Sequence, residues 1–230
     1  MNPLHEAPTS VTPARRLAAW GVHLFTATSA PAGLLAIRAA VQGDAPTSFL
    51  WMAYTIAVDP GDDFLHPHGA RLDDIVDYFT YVLVPCFFAL QMGMLPAGWD
   101  VPVVSLVAIA SGYGFSQTTA KTADHFFTGF PSYWNIVVFY LYVLGWSPAA
   151  NALWLVAFAI AVFVPIRYLY PSRTTTLRGL TVTLGIIWAV VLIFALTSLS
   201  TVPRWLVTAS LAFPIYYVGL SLYLHARHRS

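Results

Sequence analysis

The chain has 230 residues, 58% hydrophobic and only 9% charged, with a mean hydropathy of +0.67. Soluble domains carry about 25% charged residues, so this composition excludes a soluble globular protein and reads as an integral membrane protein. A formal net charge of +1 gives no footprint for nucleic acid, and the single cysteine, Cys86 in an apolar run, excludes an internal disulfide.

Residues 1–16 are polar and proline-containing and are expected to form a disordered cytoplasmic arm, with 17–226 as a single transmembrane domain. Arg15 and Arg16 before the apolar run resemble a signal peptide, but the run continues through Leu34–Ile37 and is read as an uncleaved first span. Hydrophobic stretches predict about eight helices, near 17–40, 47–62, 70–96, 101–119, 133–146, 150–170, 178–199 and 204–225. Pro, Gly or charge marks each break. The expected fold is all-α, a polytopic membrane bundle. With the N-terminus in the cytoplasm, nine basic residues fall on the cytoplasmic side and two, Arg38 and Arg204, on the other. That bias supports a multi-pass protein with both termini cytoplasmic.

Six of the ten acidic residues lie between Asp59 and Asp77. A carboxylate at the centre of a membrane helix costs about 2.5–3.5 kcal/mol on the insertion scale, so something must offset several together. Asp59 and Asp62 share one face at the end of the second helix, at spacing i, i+3. Asp73 and Asp77 share one face at the start of the third, at i, i+4. Four carboxylates on adjacent helices suit one or two oxygen-seeking cations, Mg²⁺ or Mn²⁺, bridging phosphate oxygens. Asp74 points off that face and reads as a surface acid. His66 and His68 in the intervening turn read as loop residues.

Lys121, the chain's single lysine, and Arg167 and Arg173 fall on the same side and suit phosphate. Aromatic residues gather around the loop between the fourth and fifth helices: Tyr113, Phe115, Phe126, Phe127, Tyr133 and Trp134. They suit either an interfacial belt or a cage for a cation.

These residues resemble the CDP-alcohol phosphotransferase family, whose signature reads D-x2-D-G-x2-A-R-x8-G-x3-D-x3-D. Asp59-Pro60-Gly61-Asp62 matches its start, and Gly69 to Asp77 matches its end. Four further stretches resemble the bacterial branch of that family that uses free choline: 75–85, 111–137, 164–173 and 203–207. The resemblance implies transfer from CDP-diacylglycerol to choline, giving phosphatidylcholine and CMP, in the bacterial inner membrane. It implies Mn²⁺ or Mg²⁺ held by Asp59, Asp62, Asp73 and Asp77, with Asp77 as the general base. It also implies substrate contacts at Gly69, Lys121, Arg167, Arg173, Tyr113, Phe126, Tyr133 and Trp134. A homodimer is common among such proteins.

The sequence departs from the signature between Asp62 and Gly69. Asp63 replaces the first glycine, His66-Pro67 falls on Ala-Arg, and the x8 spacer is about seven residues short. A catalytically impaired lipid-binding or interaction protein therefore stays open as a second reading, and an ion-coupled transporter as a third.

Overall fold

A computed structural model of the chain describes residues 21, 24–58, 67–117, 126–169, 176–199 and 201–227, with the backbone alone for 67–71 and 126–127. The described residues are overwhelmingly helical, as expected. Among the described residues, three stretches are long and apolar enough to cross a membrane: Leu24–Val41, Arg178–Thr197 and Arg204–Arg227.

Helix α1 (Ser29–Val41) buries a stripe of small residues, Ala32, Gly33, Ala36, Ala39 and Ala40. Small side chains let membrane helices approach closely. Helix α2 (Ala45–Val58) returns antiparallel along this stripe, with Ser48 Oγ donating to the Ala36 carbonyl at 2.9 Å. Asp44 opens α2 by accepting the Thr47 N–H at 3.1 Å. Hydrogen bonds from the Thr47 side chain and backbone hold the Asp44 carboxyl below the usual aspartate range.

The next helical run changes register partway. Helix α3 (Pro67–Asp77) passes into a π-helical segment (Tyr78–Leu83), then into α4 (Val84–Gln91). Pro85 supplies the cause. Its ring lacks an N–H and collides with the carbonyl four residues back, that of Tyr81, so the wider turn relieves the clash there. Pi-bulges concentrate at functional sites, and this one follows Asp77 directly.

Helix α5 (Asp100–Ser116) is followed by strand β1 (Phe126–Thr128), α6 (Trp134–Leu144), α7 (Pro148–Phe163) and strand β2 (Arg167–Leu169). Helix α6 stops at Gly145, whose left-handed backbone (φ 65°) suits glycine. Ser147 starts α7 by accepting the Ala150 N–H. Helices α8 (Arg178–Thr197), α9 (Arg204–Ser210) and α10 (Ala212–Arg227) complete the bundle.

Two predicted helices depart from expectation, each at a proline. The helix expected over 150–170 ends at Phe163, because Pro165 cannot continue it and disfavours the helical conformation of the residue before it. Residues 167–169 become strand instead. The last predicted helix is interrupted at Leu211, where Pro214 cannot bond the Ser210 carbonyl. The first predicted helix begins outside the described residues.

The core is aromatic at mid-bundle. Phe49 packs on Phe88 with ring centroids 4.4 Å apart and on Phe139 at 5.3 Å. Tyr140 accepts the Trp188 indole N–H at 2.8 Å and shares a 2.7 Å bond with Ser210, which ties α6, α8 and α9 together. At one end, Asn151 Nδ2 donates to the Met94 carbonyl at 2.9 Å and ties the first turn of α7 to the loop after α4. At the other end lie β1, β2 and the end of α10.

Candidate functional site

The aspartates of α3 sit where one helix face turns inward. Asp73 is 3% exposed, and Asp77, one turn later, is half-buried. Asp74 is also half-buried. Carboxylate oxygens on successive turns of one face are hard donors of the kind Mg²⁺ and Mn²⁺ take, so the donor chemistry fits such a cation. Asp59 and Asp62, the other two expected ligands, lie outside the described residues. Among the described residues no group of three His, Cys, Asp or Glu converges.

One turn of α5 braces this region. Tyr78, directly after Asp77, donates through its hydroxyl to the Ala108 carbonyl at 3.0 Å and meets Phe115 edge-on with centroids 5.9 Å apart. Its ring also lies against Gly112. On the same turn, Ser111 Oγ accepts the Trp134 indole N–H at 2.7 Å. Trp134 is fully buried, with Phe130 against its ring edge. The aromatic residue expected to face substrate is thus a strut between α5 and α6. Tyr113 is 49% exposed and rests on Phe163, whereas Tyr133 is half-buried.

Sequence reasoning missed the two-stranded ribbon. Strands β1 and β2 pair antiparallel, placing Phe126 opposite Leu169, Phe127 opposite Tyr168, and Thr128 opposite Arg167. The ribbon puts Phe126 and Arg167, both expected substrate contacts, on adjacent strands. Its free edge is held by a helix rather than a third strand. The Arg167 N–H donates to His225 Nδ1 at 3.3 Å, the Leu169 N–H donates to Ser221 Oγ at 3.1 Å, and Tyr217 donates to the Leu169 carbonyl at 3.0 Å. Tyr217, Ser221 and His225 recur every four residues, so one face of α10 satisfies the backbone that an unpaired strand would leave open. The signal was present in the sequence as polar residues at that spacing in an apolar helix. Tyr168 is buried beside Tyr217, and burial pushes its phenol above the usual range.

Ser221→Ala is expected to lower stability by about 1–3 kcal/mol, because the N–H of Leu169, itself 0% exposed, loses its acceptor. Thermal unfolding in detergent measures it, and an unchanged midpoint would mean that the ribbon does not depend on α10.

Arg167 is half-buried on β2. Gly69 lies on the first turns of α3, where the backbone alone is described. Lys121 and Arg173 lie outside the described residues.

Apolar spanning helices and a buried carboxylate beside a half-buried one define a helical membrane protein with a polar site on one of its helices. No family model matches the chain. It is 37% identical over 238 residues, covering 97% of this chain and 92% of the relative, to a phosphatidylcholine synthase of Legionella pneumophila. It is 42% identical over 159 residues to a phosphatidylcholine synthase of Legionella bozemanae, covering 68% of this chain and 73% of the relative. A phosphatidylcholine synthase of Rhizobium meliloti is 30% identical over 215 residues, with 89% of each chain covered. The chain belongs to the phosphatidylcholine synthase family.

Proposed function

We propose that this protein transfers the phosphatidyl group of CDP-diacylglycerol to choline, giving phosphatidylcholine and CMP. The observation that carries the reading is Asp73 and Asp77 on successive turns of one inward face, in a chain homologous to phosphatidylcholine synthases along nearly its whole length.

Asp59, Asp62, Asp73 and Asp77 would hold Mn²⁺ or Mg²⁺. When bound, the cation neutralises diphosphate charge and eases departure of CMP. The remaining steps belong to the chain's own residues. Asp77 accepts the proton of the choline hydroxyl as that oxygen bonds to the phosphatidyl phosphorus and the bond from phosphorus to CMP breaks. Arg167, Arg173 and Lys121 bind phosphate oxygens, and Gly69 leaves room at the start of α3 for the substrate. Choline cannot donate a hydrogen bond from its ammonium, so aromatic faces at Tyr113, Phe126 and Tyr133 receive it, at about 0.5–2 kcal/mol each. Trp134, fully buried and bonded to Ser111, holds α5 and α6 together.

The same reading extends to topology. Eight spans correspond to α1, α2, the run from Pro67 to Gln91, α5, α6, α7, α8 and the pair α9–α10, with both termini in the cytoplasm of a bacterial inner membrane. The distribution of basic residues supports it. A homodimer is part of the proposal.

The test is release of CMP from CDP-diacylglycerol by purified protein supplied with Mn²⁺, with and without choline. Choline-dependent release is the expected result, and its absence refutes the reading. The shortened segment between Asp62 and Gly69 favours one rival, a lipid-binding relative that has lost turnover. Under that rival, CDP-diacylglycerol gives no Mn²⁺-dependent protection against thermal unfolding, whereas an inserted full-length spacer restores it.

A further inference from the structure

Between β1 and α6 the chain builds a buried polar knot that the proposed chemistry leaves unused. Ser132 adopts a left-handed backbone with φ of 57°. Its Oγ donates to Ser111 Oγ at 3.1 Å, the same oxygen that accepts the Trp134 indole. Asn135 follows on the first turn of α6 and is 3% exposed. Its Oδ1 accepts the Ile136 N–H at 2.9 Å. A backbone N–H bonds the oxygen of a carboxamide and not its nitrogen, so that contact settles which end is which. The Nδ2 end, two donors on the opposite edge of the group, has no hydrogen-bond partner among the described residues. Buried donors left in this state are uncommon in folded proteins.

The same turn starts a helix, where the Trp134 N–H donates to the Ser132 carbonyl at 2.9 Å and the Ile136 N–H is taken by Asn135 Oδ1. Tyr133 precedes α6 without a side-chain cap bond, and α6 runs for eleven residues. The N–H groups of its first turn therefore add partial positive charge at the place where Asn135 holds its amide. The unused amide calls for an acceptor oxygen, and the positive end of the helix dipole favours one that carries negative charge. The place also suits the reaction, because α6 packs against the π-helical segment that follows Asp77. The α5 turn holding Trp134 through Ser111 also holds Tyr78 through Ala108.

From this we infer that the first turn of α6 is a phosphoryl-oxygen site, in which Asn135 Nδ2 donates to a non-bridging oxygen of the lipid-linked diphosphate. The inference rests on the transferase reading for its ligand. A nucleoside diphosphate and a lipid phosphate present the same oxygens, and the two are separated by the probes below.

The experiment compares full-length wild type, Asn135→Ala and Asn135→Asp in detergent. CDP-diacylglycerol, CDP and phosphatidic acid serve as probes in thermal unfolding, and KM is measured for CDP-diacylglycerol and for choline. Asn135→Ala is expected to raise KM for CDP-diacylglycerol about tenfold, as for one lost hydrogen bond to a charged oxygen. The choline KM should stay within about twofold of wild type, as befits a group that does not touch the cation. Asn135→Asp should do worse than alanine, because it keeps the acceptor for Ile136 but sets a like charge against the phosphoryl oxygen.

A residue that merely bonds the Ile136 N–H would give the reverse order. Aspartate would then behave as wild type, and alanine would melt earlier with its KM unchanged. That order, or equal KM values in all three proteins, overturns the inference. Stabilisation by CDP that both variants lose assigns the site to the nucleotide phosphates. Stabilisation by phosphatidic acid that both lose assigns it to the lipid phosphate. Probe binding that is absent in wild type, or untouched by either substitution, overturns it. A wild type stabilised by CDP-diacylglycerol that makes no phosphatidylcholine would defeat the transferase reading and leave the binding result standing.

Discussion

Asp77→Asn is expected to fold, to retain part of its Mn²⁺ binding, and to lose phosphatidyl transfer by roughly 10²–10⁴-fold. The amide matches the carboxylate in size and keeps one acceptor oxygen, so packing beside the π-helical segment survives. What it lacks is the charge that takes the choline proton. Asp77 is half-buried at the last position of α3, one turn beyond the buried Asp73. Asp74→Asn makes the control, since Asp74 stands off the Asp73–Asp77 face and its loss should leave the rate within a few-fold. Incorporation of labelled choline into lipid measures the rate, and thermal unfolding with and without Mn²⁺ measures the metal. Near-normal turnover by Asp77→Asn would remove Asp77 from the role of base. A rate loss of equal size in Asp74→Asn would mean that the whole turn, rather than one face, matters.

What could be read ahead of the structure follows from which forces act locally. Helix positions were legible because apolar runs and their Pro and Gly breaks are local signals. The run from Pro67 to Gln91 and helix α8 (Arg178–Thr197) fall where the composition placed them. The ribbon was not legible. Strand β1 has no sequence partner within reach, and its pairing with β2 joins residues some forty positions apart. Only Pro165 and Pro171, which bracket a short β-branched and aromatic run, hinted that α7 would end early. Trp134 shows the reverse failure. An aromatic residue at a membrane interface satisfies a belt, a cage or a core equally well on paper. Burial and the bond to Ser111 decide for the core, and no pattern in the sequence pairs residues 111 and 134. Asn135 is illegible in the sequence for a similar reason, because one amide among apolar neighbours gains meaning only once its oxygen is seen to be occupied and its nitrogen is not.

Gly129→Ala is expected to cost about 3–5 kcal/mol and to carry the ribbon with it. Gly129 joins β1 to the turn before α6 with φ of 87°, a conformation that disfavours any side chain. Its N–H donates to the Ile166 carbonyl at 2.9 Å, and the next residue, Phe130, donates to the Ala161 carbonyl at 3.1 Å. The two bonds press this backbone onto the end of α7 so closely that an added Cβ would collide with the Val162 carbonyl oxygen. That oxygen belongs to the last turn of a helix and cannot step aside as a flexible side chain would. Gly98 separates the two causes. It also has a positive φ, 79°, but an added Cβ there meets nothing within 4 Å. Gly98→Ala should therefore cost only the conformational part, about 1–2 kcal/mol. If Gly129→Ala melts no earlier than Gly98→Ala, the close approach of the two backbones is not needed, and Arg167 does not depend on it for its place. If it melts well below, the excess measures the contact that seats the ribbon, and KM for CDP-diacylglycerol should rise in the same variant.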